Sequence, residues 1–204
     1  MNKFNEIPTE KIINETIKNL KDHGINVILV DNKEEALEKI KEIIPKNSKV
    51  MNGSSTTLQE IGYMDYLKTN KYSWKNLNEE ISKEKDYVKQ SNLRRKAITE
   101  TDYFLGSINA VSKNGELIAC DASGSRVGAY PFAASKLLLI SGVNKITNSI
   151  EEGMKRIREY VFPLENERAK KAYGINSATA KWVIIEKDFP GRTTLILVKE
   201  KLGF

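Results

Sequence analysis

The chain alternates short, wholly apolar runs with amphipathic helical segments, and few folds accommodate that order. "INVILV" (25–30) has no polar face, so it reads as a strand buried on both sides. Asp31 or Asn32 can cap the helix that follows, "KEEALEKIKEII" (33–44), and Pro45 stops it. "SKVMNG" (48–53) is a second strand running into a glycine, and "TTLQEIGYMDYLK" (56–68) turns helical again. Ahead of these, Ile12, Ile13, Thr16, Ile17 and Leu20 share one stripe of a helix predicted over 8–22. Pro8 is tolerated in its first turn, and Gly24 is placed to end it. This α-β-α-β-α order predicts an α/β chain with a parallel sheet and crossover helices.

The remainder is more mixed. Residues 69–77 read as a connection, and 78–99 as one long amphipathic helix with Ile81, Tyr87, Val88, Leu93 and Ala97 available for burial. "YFLGSINAVS" and "ELIAC" flank "KNG", where Asn114-Gly115 is a strong hairpin signal. "KLLLISG" (136–142) is another buried strand, and "NSIEEGMKRIREYVF" (148–162) a helix capped by Asn148 or Ser149. From 163 to 181 the chain is polar and gives no assignment; "KWVIIE" and "TTLILV" then form two strands around "KDFPGR". No repeat or dividing linker interrupts the 204 residues, which predicts a single domain over 1–204.

Composition narrows the function classes. With 40% hydrophobic and 29% charged residues the chain is of globular type. No apolar run is long enough to cross a bilayer, and the start, "MNKFNEIPTEKI", lacks the layout of a signal peptide, so a cytoplasmic location is expected. The net charge is +6, but basic and acidic residues are interspersed, as in "KEEALEKIKE". The absence of a basic block or an aromatic-interleaved basic stripe argues against a nucleic-acid surface. Cys120 is the single cysteine, which excludes an intrachain disulfide, and no cluster has metal-ligand spacing.

Three small-residue loops follow predicted strands. In "NGSSTT" (52–57), Gly53 permits close backbone approach, and Ser54, Ser55, Thr56 and Thr57 offer hydroxyls beside the free amides of a helix start. The same residues are also ordinary helix caps. In "DASGSRVG" (121–128), Arg126 is a fixed cation that could clamp a carboxylate or phosphate, or pair with Asp121. In "SGVNK" (141–145), Asn144 and Lys145 stand just past a buried strand, where open α/β sheets place ligands. Glu60, one turn into the helix after "NGSSTT", could face the same cleft as a base. His23 is the only histidine and lies at a helix end, which removes a Ser-His-Asp triad; Cys120 reads as a buried small hydrophobe.

Taken in order, "NGSSTTLQEIG", "SINAVSKNGELI", "DASGSRVGA", "ISGVNKI" and "TTLILVKEKLGF" resemble the LUD-domain family of lactate-utilisation proteins, over nearly the whole chain. The resemblance implies a fold similar to ribose-5-phosphate isomerase, glucosamine-6-phosphate deaminase and the CoA transferases. That is a three-layer, Rossmann-like α/β domain with a mainly parallel sheet, here with a hairpin elaboration. It implies a component or accessory of L-lactate oxidation to pyruvate that binds a small organic anion at strand-end loops. The matched ligand-loop positions are Gly53, Ser54, Thr56, Thr57 and Glu60, then Asn109, Asp121, Gly124, Arg126, Asn144 and Lys145. No catalytic residue is carried by the resemblance, so Glu60 is the sole candidate and catalysis is left open. Many short relatives carry a cysteine-rich segment where this chain reads "ERAKKAYGINSATAKW". No cofactor is therefore expected in this chain, and any iron–sulfur clusters would belong to partner subunits of a lactate-oxidising complex. A homo-oligomer is compatible with this reading. The alternatives are a stand-alone sugar-phosphate or acyl-CoA enzyme of the same fold, or a non-catalytic regulatory module.

Overall fold

The computed structural model describes residues 3–204. After α1 (Glu10–Asp22) come β1 (Asn26–Val30), α2 (Lys33–Ile43), β2 (Lys49–Asn52), α3 (Thr56–Glu60), α4 (Tyr63–Lys68), β3 (Lys75–Asn76), α5 (Leu77–Lys83), α6 (Tyr87–Glu100) and β4 (Tyr103–Ser107). The second half runs β5 (Ala110–Ser112), β6 (Leu117–Asp121), β7 (Lys136–Gly142), β8 (Ile146–Thr147), α7 (Ile150–Arg156), α8 (Phe162–Tyr173), β9 (Lys181–Ile185) and β10 (Thr193–Val198). Among these elements no helix is long and apolar enough to cross a membrane.

The main sheet has six strands in the order β1-β10-β7-β4-β2-β3, and every pairing in it is parallel. Its strands are apolar along their length, so the pleat sends successive side chains into different cores. Phe104, Leu139 and Leu195 join Leu20 of α1 and Ile81 of α5 on one face. Leu105, Leu138 and Ile196 join Ile40 of α2, Leu58 of α3 and Tyr63 of α4 on the other. Helices thus cover both faces, as the alternation predicts.

A second sheet, in the order β8-β5-β6-β9, lies against the α1 side. The same pleat logic divides its hairpin: Leu117 and Ala119 face the main sheet, while Ile118 and Cys120 pack on Ile157 and Val161 beyond α7. The hairpin turn is where "KNG" places it, with Gly115 at φ +108° donating its N–H to Ser112 O.

Several boundaries differ from the sequence reading. "YFLGSINAVS" is two strands: the chain leaves the main sheet after Ser107 and enters the second sheet at Ala110. "KWVIIE" and "TTLILV" likewise fall in different sheets. The helix expected over 56–68 is interrupted at Gly62, whose φ of +78° ends one turn and starts the next. The helix expected over 78–99 breaks where Asp86 caps α6 by accepting the Lys89 N–H. None of α6 is fully buried: Tyr87 is 80% and Val88 66% exposed, and of the stripe residues on this helix only Ala97 packs against the core, beside Ile98. The 148–162 helix instead continues to Tyr173 through a wide turn at Ile157–Val161, in which the Phe162 N–H reaches Ile157 O. Pro163, which has no N–H to donate, follows directly.

Candidate functional site

Because β2, β4 and β7 are parallel neighbours, their C-terminal ends open at one edge of the sheet. The 53–57, 108–109 and 143–145 segments therefore meet there. The loop at 121–128 arrives differently, from the end of β6 in the second sheet, and closes over that edge.

Local hydrogen bonds build the floor. Ser55 caps α3, accepting the Leu58 N–H at 3.1 Å, and its hydroxyl bonds that of Ser107 at 2.9 Å, tying β2's loop to β4. Asp121 folds its own loop: one carboxylate oxygen accepts the Gly124 N–H, the other those of Arg126 at 3.2 Å and Val127 at 3.0 Å. Gly124 takes the φ of +85° that this turn needs. Arg126 is thereby sent across the floor. Its guanidinium donates to Ser107 O at 2.8 Å, Cys120 O at 2.7 Å and Asn109 Oδ1 at 3.0 Å. These acceptors engage three of its five N–H donors, and the guanidinium also lies 5.8 Å from the Tyr130 ring centre. Gly53 is the matching close approach: a Cβ there would stand 2.9 Å from Arg126 Cγ.

Two further basic side chains lie deeper. Lys145 is 1% exposed; its ammonium nitrogen lies 2.9 Å from Thr57 Oγ1 and 3.2 Å from Ile108 O. Burial pushes its pKa well below the ordinary lysine value, the Arg156 and Arg126 charges push the same way, and Glu60 opposes them. Arg156, at the end of α7, is fully buried and donates to Phe4 O at 2.9 Å and Asn109 O at 2.6 Å. Its remaining terminal nitrogen has no protein partner, and burial brings its pKa down to about 10. None of Arg126, Lys145 and Arg156 belongs to an ion pair among the described residues.

Above this floor is a cavity of about 260 Å³. Its inner end is lined by Ser54, Thr56, Thr57, Ser107, Asn109, Asp121, Arg126 and Lys145; its outer wall is mainly apolar, from Ile157, Val161, Phe162, Ala169, Tyr173, Ile175 and Phe204. Glu165 and Arg168 in that wall neutralise each other through two contacts of 2.7 Å. Cys120 also lines the cavity, where burial, with the Asp121 charge, holds its thiol up at about 11, so it stays protonated at neutral pH. Among the described residues no three His, Cys, Asp or Glu side chains are grouped as metal ligands.

Of the loop positions named from sequence, Ser54, Thr56, Thr57, Asn109, Asp121, Arg126 and Lys145 converge on the cavity. Gly53, Glu60, Gly124 and Asn144 do not line it. Gly53 makes room for Arg126, and Gly124 for the Lys181 stem, which a Cβ would approach to 2.7 Å. Glu60 is exposed and accepts the Gly203 N–H at 2.5 Å. Buried Asn144 accepts the Leu202 N–H at 3.1 Å and donates to Asn5 Oδ1 at 2.7 Å. The last two fasten the segment that carries Phe204 into the wall. Sequence reasoning missed Arg156, Ser107 and the α8 wall. The Arg156 signal was present: it lies on the stripe formed by Gly153, Ile157 and Val161, where a solvated charge does not belong.

Comparison with known proteins bears on the family and the fold. The chain is similar to a DUF162 family protein from Deinococcus radiodurans whose crystal structure is known at 1.70 Å resolution. The TM-score is 0.56 at 12% identity, over 94% of this chain and 99% of that one. A weaker likeness, to a D-ribose-5-phosphate isomerase in complex with phospho-erythronic acid, covers 83% of this chain and 95% of the other at 12% identity, and its TM-score of 0.39 is too low for a fold assignment. No curated protein matches. The family model of the LUD domain matches residues 13–198, nearly the whole chain, and with the shared fold this makes the protein a member of the LUD domain family.

Proposed function

We propose that the protein binds a small organic anion in this cavity, as a component or accessory of lactate utilisation. The observation that carries the reading is a set of basic side chains without an ion-pair partner among the described residues: Arg126 and Lys145 line the inner end, and buried Arg156 is bonded to the backbone of Asn109 beside them. Holding guanidinium charge out of water without a counter-charge costs several kcal/mol, and a carboxylate held by Arg126 and the Ser54 and Thr56 hydroxyls offsets that cost. The apolar outer wall suits a ligand with an anionic head and a hydrocarbon body. The single cysteine leaves the chain without iron–sulfur ligands of its own, so a redox role would run through partner subunits.

The test is a thermal-shift screen with lactate, pyruvate, longer 2-hydroxy and 2-oxo acids, sugar phosphates and acyl-CoA. Carboxylates are expected to raise Tm and their neutral amides to leave it unchanged. Stabilisation by sugar phosphates alone would move the assignment to a sugar-phosphate enzyme, and no stabilisation by any anion would overturn the site. The lactate role is read separately, as loss of lactate-dependent dye reduction when this chain is omitted from a reconstituted system.

A further inference from the structure

We infer that Lys145 is a reactive amine that forms an imine with the carbonyl carbon of a 2-oxo acid held in the cavity. This deepens the anion-site reading and rests on it. Three observations converge. First, Lys145 is the only amine lining the cavity among the described residues, and the other nucleophiles there lack activation. The Cys120 thiol is protonated, and the Ser and Thr hydroxyls have no histidine beside them, since His23 lies outside the cavity. Second, the surroundings favour an uncharged nitrogen. Burial is complete, the fixed charges nearest it are the guanidinium groups of Arg126 and Arg156, and Glu60, the one carboxylate acting on it, is exposed and bonded to the Gly203 N–H. Third, the hydrogen bonding matches a neutral amine. Two acceptors, Thr57 Oγ1 and Ile108 O, take its two N–H protons, and among the described residues no further hydrogen-bond acceptor meets the third proton of an ammonium.

With the carboxylate at Arg126, the neighbouring carbonyl lies at the same inner end as the lysine. The nitrogen lone pair attacks C2, a C–N bond forms, and the C=O π pair moves to oxygen, which takes a proton. The carbinolamine then loses that oxygen as water. Both N–H protons leave the nitrogen in the process, and the Thr57 hydroxyl, 2.9 Å away, is placed to relay them. The step needs no oxidant or reductant and reverses by hydrolysis.

The experiment is reductive trapping of the full chain. It is incubated with pyruvate or 4-methyl-2-oxopentanoate and sodium borohydride, then mapped by peptide mass spectrometry. One adduct is expected, on Lys145, saturable, suppressed by the matching 2-hydroxy acid and absent from Lys145→Met. If that variant does not fold, site mapping and competition in the wild type decide alone. No adduct at Lys145, or labelling spread over surface lysines and insensitive to the hydroxy acid, overturns the imine. The anion site survives that result if the same acids still raise Tm, and both readings fall together if they do not.

Discussion

The main sheet has basic side chains, half-buried or buried, at both of its ends, and the two ends treat them oppositely. Where β7 and β10 begin, Arg192 meets Asp188 at 2.8 Å and donates to Tyr130 O and Ala134 O at 2.7 and 3.2 Å. Asp188 also accepts the Thr193 hydroxyl at 2.5 Å, so charge and donors are matched within the protein. Where β2, β4 and β7 end, Arg126, Lys145 and Arg156 stand beside a cavity, bonded to carbonyls and hydroxyls and to no carboxylate. A buried charge with its partner belongs to the fold, and a buried charge without one is a cost that a fold tolerates where a ligand supplies the missing sign.

The largest expected effect breaks the matched end. Asp188→Ala strands Arg192 and should destabilise the protein by about 3 kcal/mol in urea unfolding, while anion affinity at the far edge stays unchanged. Lys145→Met should do the reverse. Removing a buried group with no counter-charge should raise stability by about 1–2 kcal/mol at neutral pH and abolish imine trapping. The sign with pH follows from burial. The folded pKa of Lys145 lies below its unfolded value, so in the window between the two the unfolded chain binds more protons and wild-type stability rises with pH. The advantage of Lys145→Met should therefore shrink as pH climbs toward the ordinary lysine value, and an advantage constant with pH would show that Lys145 is not perturbed.

Smaller changes sharpen the contrast. Gly53→Ala pushes a methyl against the Arg126 stem and should cost about 1 kcal/mol, with weaker anion binding as the guanidinium shifts, measured by unfolding and calorimetry together. Tyr87→Ser on exposed α6 touches neither end and should stay within about 0.5 kcal/mol of wild type.

Much of the local structure was legible from the residues that make it. Asn32, Ser55 and Ser149 cap α2, α3 and α7 through their own side chains, and Asn114-Gly115 turns its hairpin. These are contacts within a few positions, which a sequence displays directly. The α6 stripe misled because spacing shows which residues share a face and not whether anything covers it. Tyr87 and Val88 are exposed, whereas Ala97 further along α6 packs against the core and Ile81, on the separate helix α5, packs into it. The site was half legible: its loops could be named, but Glu60 and Asn144 fasten the 202–203 backbone, through contacts 143 and 58 residues apart in the chain.

By itself the sequence determined the α/β class, because strands apolar on both faces can only be buried between helices, and it determined the starts of α2, α3 and α7 and the hydroxyl- and glycine-rich character of the loops. Only the tertiary structure decided which strands share a sheet, since pairing partners lie far apart in the chain and apolar runs look alike. It alone also decided that Lys145 is buried. That depends on Glu200 O coming so near Gly142 that a Cβ there would sit 2.5 Å away, and on Gly203 lying where its own Cβ would sit 3.1 Å from the lysine nitrogen. Charge is written in the sequence; whether water or protein surrounds it is set by segments that meet only when the chain folds.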